Sequence, residues 1–147
     1  MDRNREIDRL VAEKVMGYTV YHYEDYAENN FYRLMDEYWN LVLLSPGLEN
    51  GKRKTEGQAW EDVPRYSTDI ADAWLVVEKM RLSILRLPDG HWLSGKIQAG
   101  TYLDPALGTI DGYLDDHDQA DNAPLAICLA ALKAVGVEVK EKAEHTH

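Results

Sequence analysis

Ser67-Thr-Asp-Ile-Ala-Asp-Ala-Trp-Leu-Val-Val-Glu-Lys-Met80 is the stretch on which the fold turns. Ser67 is a good N-cap, because its hydroxyl can accept from an orphan backbone N–H. Asp69 falls in the first turn, at the positive end of the helix dipole, and Lys79 and Arg81 fall at the negative end. Ile70, Ala73, Trp74, Val77 and Met80 recur at helical spacing and form one apolar face. Every local cue agrees on a capped amphipathic helix.

Downstream, Leu82-Ser-Ile-Leu-Arg-Leu87, the turn Pro88-Asp-Gly90 and the return from His91-Trp-Leu-Ser94 predict a β-hairpin. Lys96 to Leu103 extends that strand or forms another, and Asp104 to Ala120 reads as an acidic loop. Ala123 to Val135 predicts a helix with Asn122 as N-cap, Pro124 in its first turn and Gly136 closing it. It is apolar nearly all round, so it is expected to be buried.

Upstream, Ile7, Leu10, Val11 and Val15 predict a helix over 4–16, with Asn4 as cap and Gly17 after its end. Tyr18 to Tyr23, rich in β-branched and aromatic residues, predicts a strand. Asn29-Asn30 reads as a turn. Phe31–Met35 and Trp39–Leu44 read as two short strands around a turn at Asp36-Glu37-Tyr38, although 26–44 also fits a loose helical period. Residues 45–66 are loop material holding Lys52, Arg53 and Lys54, with one helical turn from Thr55 to Trp60.

The order helix, strands, helix, strands, helix suits an α+β fold, an antiparallel sheet with helices packed on it. The 147 residues are expected to form a single domain, 1–147, with a long loop at 45–66 and a charged tail at 138–147. There is no apolar run of about 18 residues to span a membrane and no signal-peptide pattern at the N-terminus. The single cysteine, Cys128, lies in an apolar helix and is expected to be a buried thiol. These features point to the cytoplasm.

The net charge of −10 disfavours nucleic acid polymers and anionic membranes as partners. It is compatible with a basic protein partner. Nine tyrosines against one phenylalanine suit half-exposed, aromatic surfaces. Asp111, Asp115, Asp116, Asp118 and Asp121, with His117, lack the spacing and closing glutamate of a calcium loop. No zinc spacing, phosphate loop or nucleophile–base pair is present, so neither a metal, a cofactor nor catalytic residues are expected. What remains is ligand binding. Arg65 and Tyr66 stand ahead of the cap formed by Ser67 and Thr68, where free N–H groups can hold an anion. Trp60 in the loop and Trp92 after the hairpin turn are candidate contact residues.

Val15-Met16-Gly17-Tyr18, Ser67 to Trp74 and Asn122 to Ala134 together resemble the phage ABA sandwich domain family. The resemblance implies an α/β/α sandwich, a small antiparallel sheet flanked by helices, in a phage or prophage protein, and it supplies no catalytic residues. It implies a phage accessory protein acting in the infected host cell by binding rather than as an enzyme. Sequestration of a nucleotide-type host-defence signal is the expected role, with an acidic protein-binding modulator as the alternative. A homo-oligomer is expected from the tyrosine-rich strands and an open sheet edge.

Overall fold

Why each segment folds as it does is clearest at its caps. In the computed structural model, residues 2–24, 30–42, 51–97 and 114–139 are described. The expected turn at Asn29, residues 43–50 of the long loop, residues 98–113 and the tail from 140 lie outside them. The chain divides into two compact units, Met1–Arg65 and Tyr66–His147.

In the first unit, α1 (Arg3–Leu10) begins at Asp2, whose carboxylate accepts from Arg5 N at 3.0 Å, so the cap lies two residues ahead of Asn4. The helix continues as a π-helical segment, Val11–Val15. Gly17, at φ +78°, lets the chain leave it. β1 (Thr19–Glu24) and β2 (Asn30–Met35) pair antiparallel, with Tyr21 opposite Arg33 and Tyr23 opposite Phe31. Of the expected strand Trp39–Leu44, residues 39–42 form a turn and one bridge, Met35 to Leu41, and residues 43 and 44 lie outside the described residues. Of the loop expected at 45–66, residues 51–66 are described and hold regular structure. Arg53 bridges to Tyr32, and α2 (Glu56–Trp60) starts at Thr55, whose hydroxyl accepts from Gln58 N. Ile7, Val11, Leu34, Ala59 and Val63 form the apolar core, beside a buried Arg53–Asp62 ion pair of 2.8 Å.

In the second unit, α3 (Ile70–Met80) is capped by Asp69 and not by Ser67. The Asp69 carboxylate accepts from Ala71 N and Asp72 N, while Ser67 is buried in the turn before it. The buried face is Ala73, Val76 and Val77, with Ile70 and Trp74 exposed, a rotation of the face expected from spacing. β3 (Ser83–Arg86), β4 (Trp92–Ile97) and β5 (Leu114–Ala120) form an antiparallel sheet in that order. β5 corrects the acidic loop: pairing with β4 outweighs the low strand propensity of its aspartates. Ser94, buried in β4, donates its hydroxyl to Ser83 O at 2.9 Å and ties the hairpin internally.

α4 (Ala123–Ala134) is capped by Asn122, which accepts from Leu125 N, and Gly136 follows at φ +81°. It packs on β4 and β5, and α3 packs on it. Ile127, Cys128 and Leu132 are fully buried. The α+β class with small antiparallel sheets is therefore the one observed. Among the described residues, no helix is long and apolar enough to cross a membrane.

Candidate functional site

Alternation along a strand puts every second side chain on one face. The register of β1 and β2 therefore sorts the ribbon cleanly. Val20 and Leu34 share one face, and Leu34 is fully buried there. His22 stacks on Tyr32 further along that same face, with ring centroids 4.7 Å apart. The opposite face carries Tyr21, Tyr23, Phe31 and Arg33, all half-buried.

On that second face the rings form a continuous strip. Tyr23 and Phe31 stack across the strands at 5.0 Å and 8°. Tyr21 and Tyr23 follow at 6.5 Å, and Trp39 lies 4.6 Å from Tyr21. Two cations sit among them. The Arg33 guanidinium is 5.6 Å from the Tyr23 centroid and 5.2 Å from Phe31, and the Lys52 ammonium is 4.8 Å from Phe31. Each such contact is worth about 0.5–1 kcal/mol at an exposed position. The Asp36 carboxylate stands at the other end of the strip, in the turn that carries Trp39.

The strip ends in a turn built for presentation. Asp36 Oδ1 accepts from Tyr38 N and Asn40 N, both at 2.8 Å, and Oδ2 accepts from Asn40 Nδ2 at 3.3 Å. Trp39 has φ +69°, the left-handed region, which costs a side-chain-bearing residue roughly 1–2 kcal/mol. Trp39 is nevertheless 64% exposed and Tyr38 74% exposed. The indole packs on Tyr21 on one side and leaves its other side open to solvent. Chemically, the face can stack planar rings and neutralise anions.

The residues expected from sequence fall elsewhere. In the first unit, Trp60 is buried with the Arg9 guanidinium 4.9 Å from its ring, and Arg65 is exposed. In the second unit, Tyr66 and Ser67 are buried, and Thr68 is exposed. Trp92 is half-buried in β4, opposite Arg86, whose guanidinium lies 5.7 Å from its ring. A fully buried Tyr66 presents no ring face for stacking. Asp69 supplies its own carboxylate to the N–H groups at the start of α3, where an anion was expected to sit. Sequence reasoning missed Tyr21, Tyr23, Phe31, Arg33 and Trp39 as a group. The available signal was the alternation of Tyr21 and Tyr23, two residues apart in a strand. Among the described residues, no three His, Cys, Asp or Glu side chains converge as metal ligands would.

The family model for the Phage ABA sandwich domain matches residues 9–132 of the chain. No curated protein and no solved structure matches the chain.

Proposed function

Because the chain belongs to the phage ABA sandwich domain family, we propose that this phage protein is an accessory factor that acts by binding and not by catalysis. Its ligand is a nucleotide-type small molecule, such as a host-defence signal, which it sequesters. The observation that carries this reading is the ring-and-cation face of the β1–β2 ribbon, where Arg33 lies over Tyr23 and Phe31. A nucleotide needs a surface to stack its base and a cation for its phosphate, and both stand on that face. Of the residues expected from sequence, Arg65 in the first unit, and Thr68 and Trp92 in the second, keep accessible surface and become secondary candidates, each within its own unit. The reading carries with it the cytoplasm of the infected cell as the place of action and a homo-oligomer as the working form.

Calorimetric titration with a panel of mononucleotides and cyclic nucleotides tests it. Binding that is lost in Arg33→Ala supports the proposal, and no heat from any member of the panel removes it.

A second reading, a modulator that docks on a host protein, is favoured by α3. Ile70, Trp74 and Leu75 are 54%, 48% and 48% exposed on that helix, among Asp69, Asp72 and Glu78. Exposed apolar residues rimmed by carboxylates suit a partner with an apolar, basic surface. Co-purification with a host protein that is abolished by Trp74→Ser would favour this reading over the first.

A further inference from the structure

We propose that the ligand of the ribbon face carries more than one base: a short linear single strand of nucleic acid, laid along β1 with Trp39 as its end platform. The inference rests on the nucleotide reading above and names the substrate class of the same face. A mononucleotide has one base and would cover one ring. The face offers a series instead: Trp39 and then Tyr21 and Tyr23 along β1, with successive centroids 4.6 and 6.5 Å apart, and Phe31 of β2 stacked on Tyr23 at 5.0 Å, so that this last pair acts as one platform. The repeat of side chains on one face of a strand is roughly 7 Å, so a strand sets rings out at regular intervals along its length. Proteins that hold single strands do so by stacking successive bases on such rings, and the stacking is indifferent to sequence.

Charge fixes both the chemistry and the length. Arg33 and Lys52 lie within 5.6 Å of the rings at the Phe31 end, placed to meet phosphates that join the bases. The rest of an acidic chain, at net charge −10, repels phosphates that run past the strip. The fitting ligand is therefore short, on the order of two to three nucleotides, one each for Trp39, Tyr21 and the Tyr23–Phe31 pair.

The backbone at Trp39 is the second, independent observation. Its ring packs on Tyr21 on one side and is 64% exposed on the other, and its left-handed backbone lies between the two N–H groups from which Asp36 accepts. Non-glycine residues in that conformation gather at ligand clamps.

Fluorescence anisotropy with labelled oligo-dT of one, two, four and eight nucleotides tests the proposal on the full chain, with cyclic dinucleotide as a competitor. The expected result is at least a tenfold gain in affinity from one to four nucleotides and no further gain at eight. Trp39→Gly, which relieves the left-handed strain, is expected to keep the melting temperature and to lose most of that gain. Lys52→Ala is expected to lower affinity for the tetranucleotide and to flatten its salt dependence, and it leaves the turn intact. Equal affinity at all lengths overturns the multi-base inference while the nucleotide reading stands, as does cyclic dinucleotide binding without any linear binding. A steady rise to eight also overturns it, since that is a general polyanion response. Absence of binding by every probe overturns both.

Discussion

Arg5 Nη1 lies 2.7 Å from Asp8 Oδ2, one turn along α1, and the Asp8 side chain is fully buried. The same guanidinium donates to three backbone carbonyls distant in sequence: Glu61 O and Val63 O at 2.9 Å, and Pro64 O at 3.4 Å. One side chain thereby neutralises a buried carboxylate and fastens the segment after α2 to α1. Arg5→Ala removes this cation from the buried carboxylate and the donor from all three carbonyls. The expected cost is about 2–3 kcal/mol, below the full range for a buried charge left alone, since the pair is only part-buried. Urea unfolding measures it. Arg5→Lys is expected to recover only part of the loss, because an ammonium cannot serve the same fork of acceptors.

His91 gives stability a pH dependence. Its Nδ1 is 3.2 Å from Asp89 Oδ2 and its Nε2 is 3.0 Å from Asp121 Oδ1. The Asp89 carboxylate, by hydrogen bonding first and by charge second, raises the His91 pKa above the ordinary histidine range, and Asp121 adds to it. Asp89 is lowered in turn, chiefly by accepting from the His91 backbone N–H. A raised histidine contributes stability that is complete below its unfolded pKa, about 6.5, and vanishes as pH rises through the folded value. A lowered aspartate contributes above its unfolded pKa, about 3.9, and its share vanishes as pH falls through the folded value. The pair is therefore at its best between about pH 4 and 6.5. The melting-temperature advantage over His91→Gln is expected to be largest there and to fall away as pH rises above that window. An advantage that grows with rising pH would contradict the assignment.

The Asp36 turn is expected to be stiff. Asp36→Ala removes the acceptor for Tyr38 N, Asn40 N and the Asn40 amide. The expected destabilisation is about 1–2 kcal/mol, since these bonds are exposed and water replaces part of them. The same variant releases Trp39 from Tyr21, which iodide quenching of tryptophan fluorescence detects as increased access.

Helix α3 distinguishes two capping residues directly. Asp69→Ala is expected to cost about 1 kcal/mol, the usual price of an N-cap, and Asn122→Ala the same at α4. Asp69→Asn is expected to retain most of the stability, because the amide oxygen still accepts. Thermal unfolding of the three variants separates these outcomes.

Much of the fold is legible in the residues. Asn122, Pro124 and Gly136 bracket α4 where it forms, and Pro88-Asp-Gly90 turns β3 into β4. The cap of α3 is misread by two residues, because Ser67 and Asp69 are both good acceptors and only the burial of Ser67 separates them. Its face is misread for a related reason. Ile70, Ala71, Ala73, Trp74, Leu75, Val76 and Val77 are all apolar, so the period allows more than one buried stripe. β5 is invisible to propensity, since Asp115, Asp116 and Asp118 enter a strand only through their partner β4. The candidate site is the least legible part. Its ring pairs exist only once Tyr23 is registered against Phe31, and nothing in the neighbours of Trp39 foretells a left-handed indole.

The π-helical segment Val11–Val15 has a consequence for how the chain tolerates change in length. Its wider turn, closed by Met16 N donating to Val11 O at 2.9 Å, accommodates one residue more than an α-helix would between the same end points. Ile7 and Asp8 before it, and Val11 and Val15 within it, are all buried. The segment thus acts as a phase corrector: a single-residue deletion there can be absorbed by reversion to regular α-helix, whereas the same deletion in α4 would rotate every later side chain by about 100°.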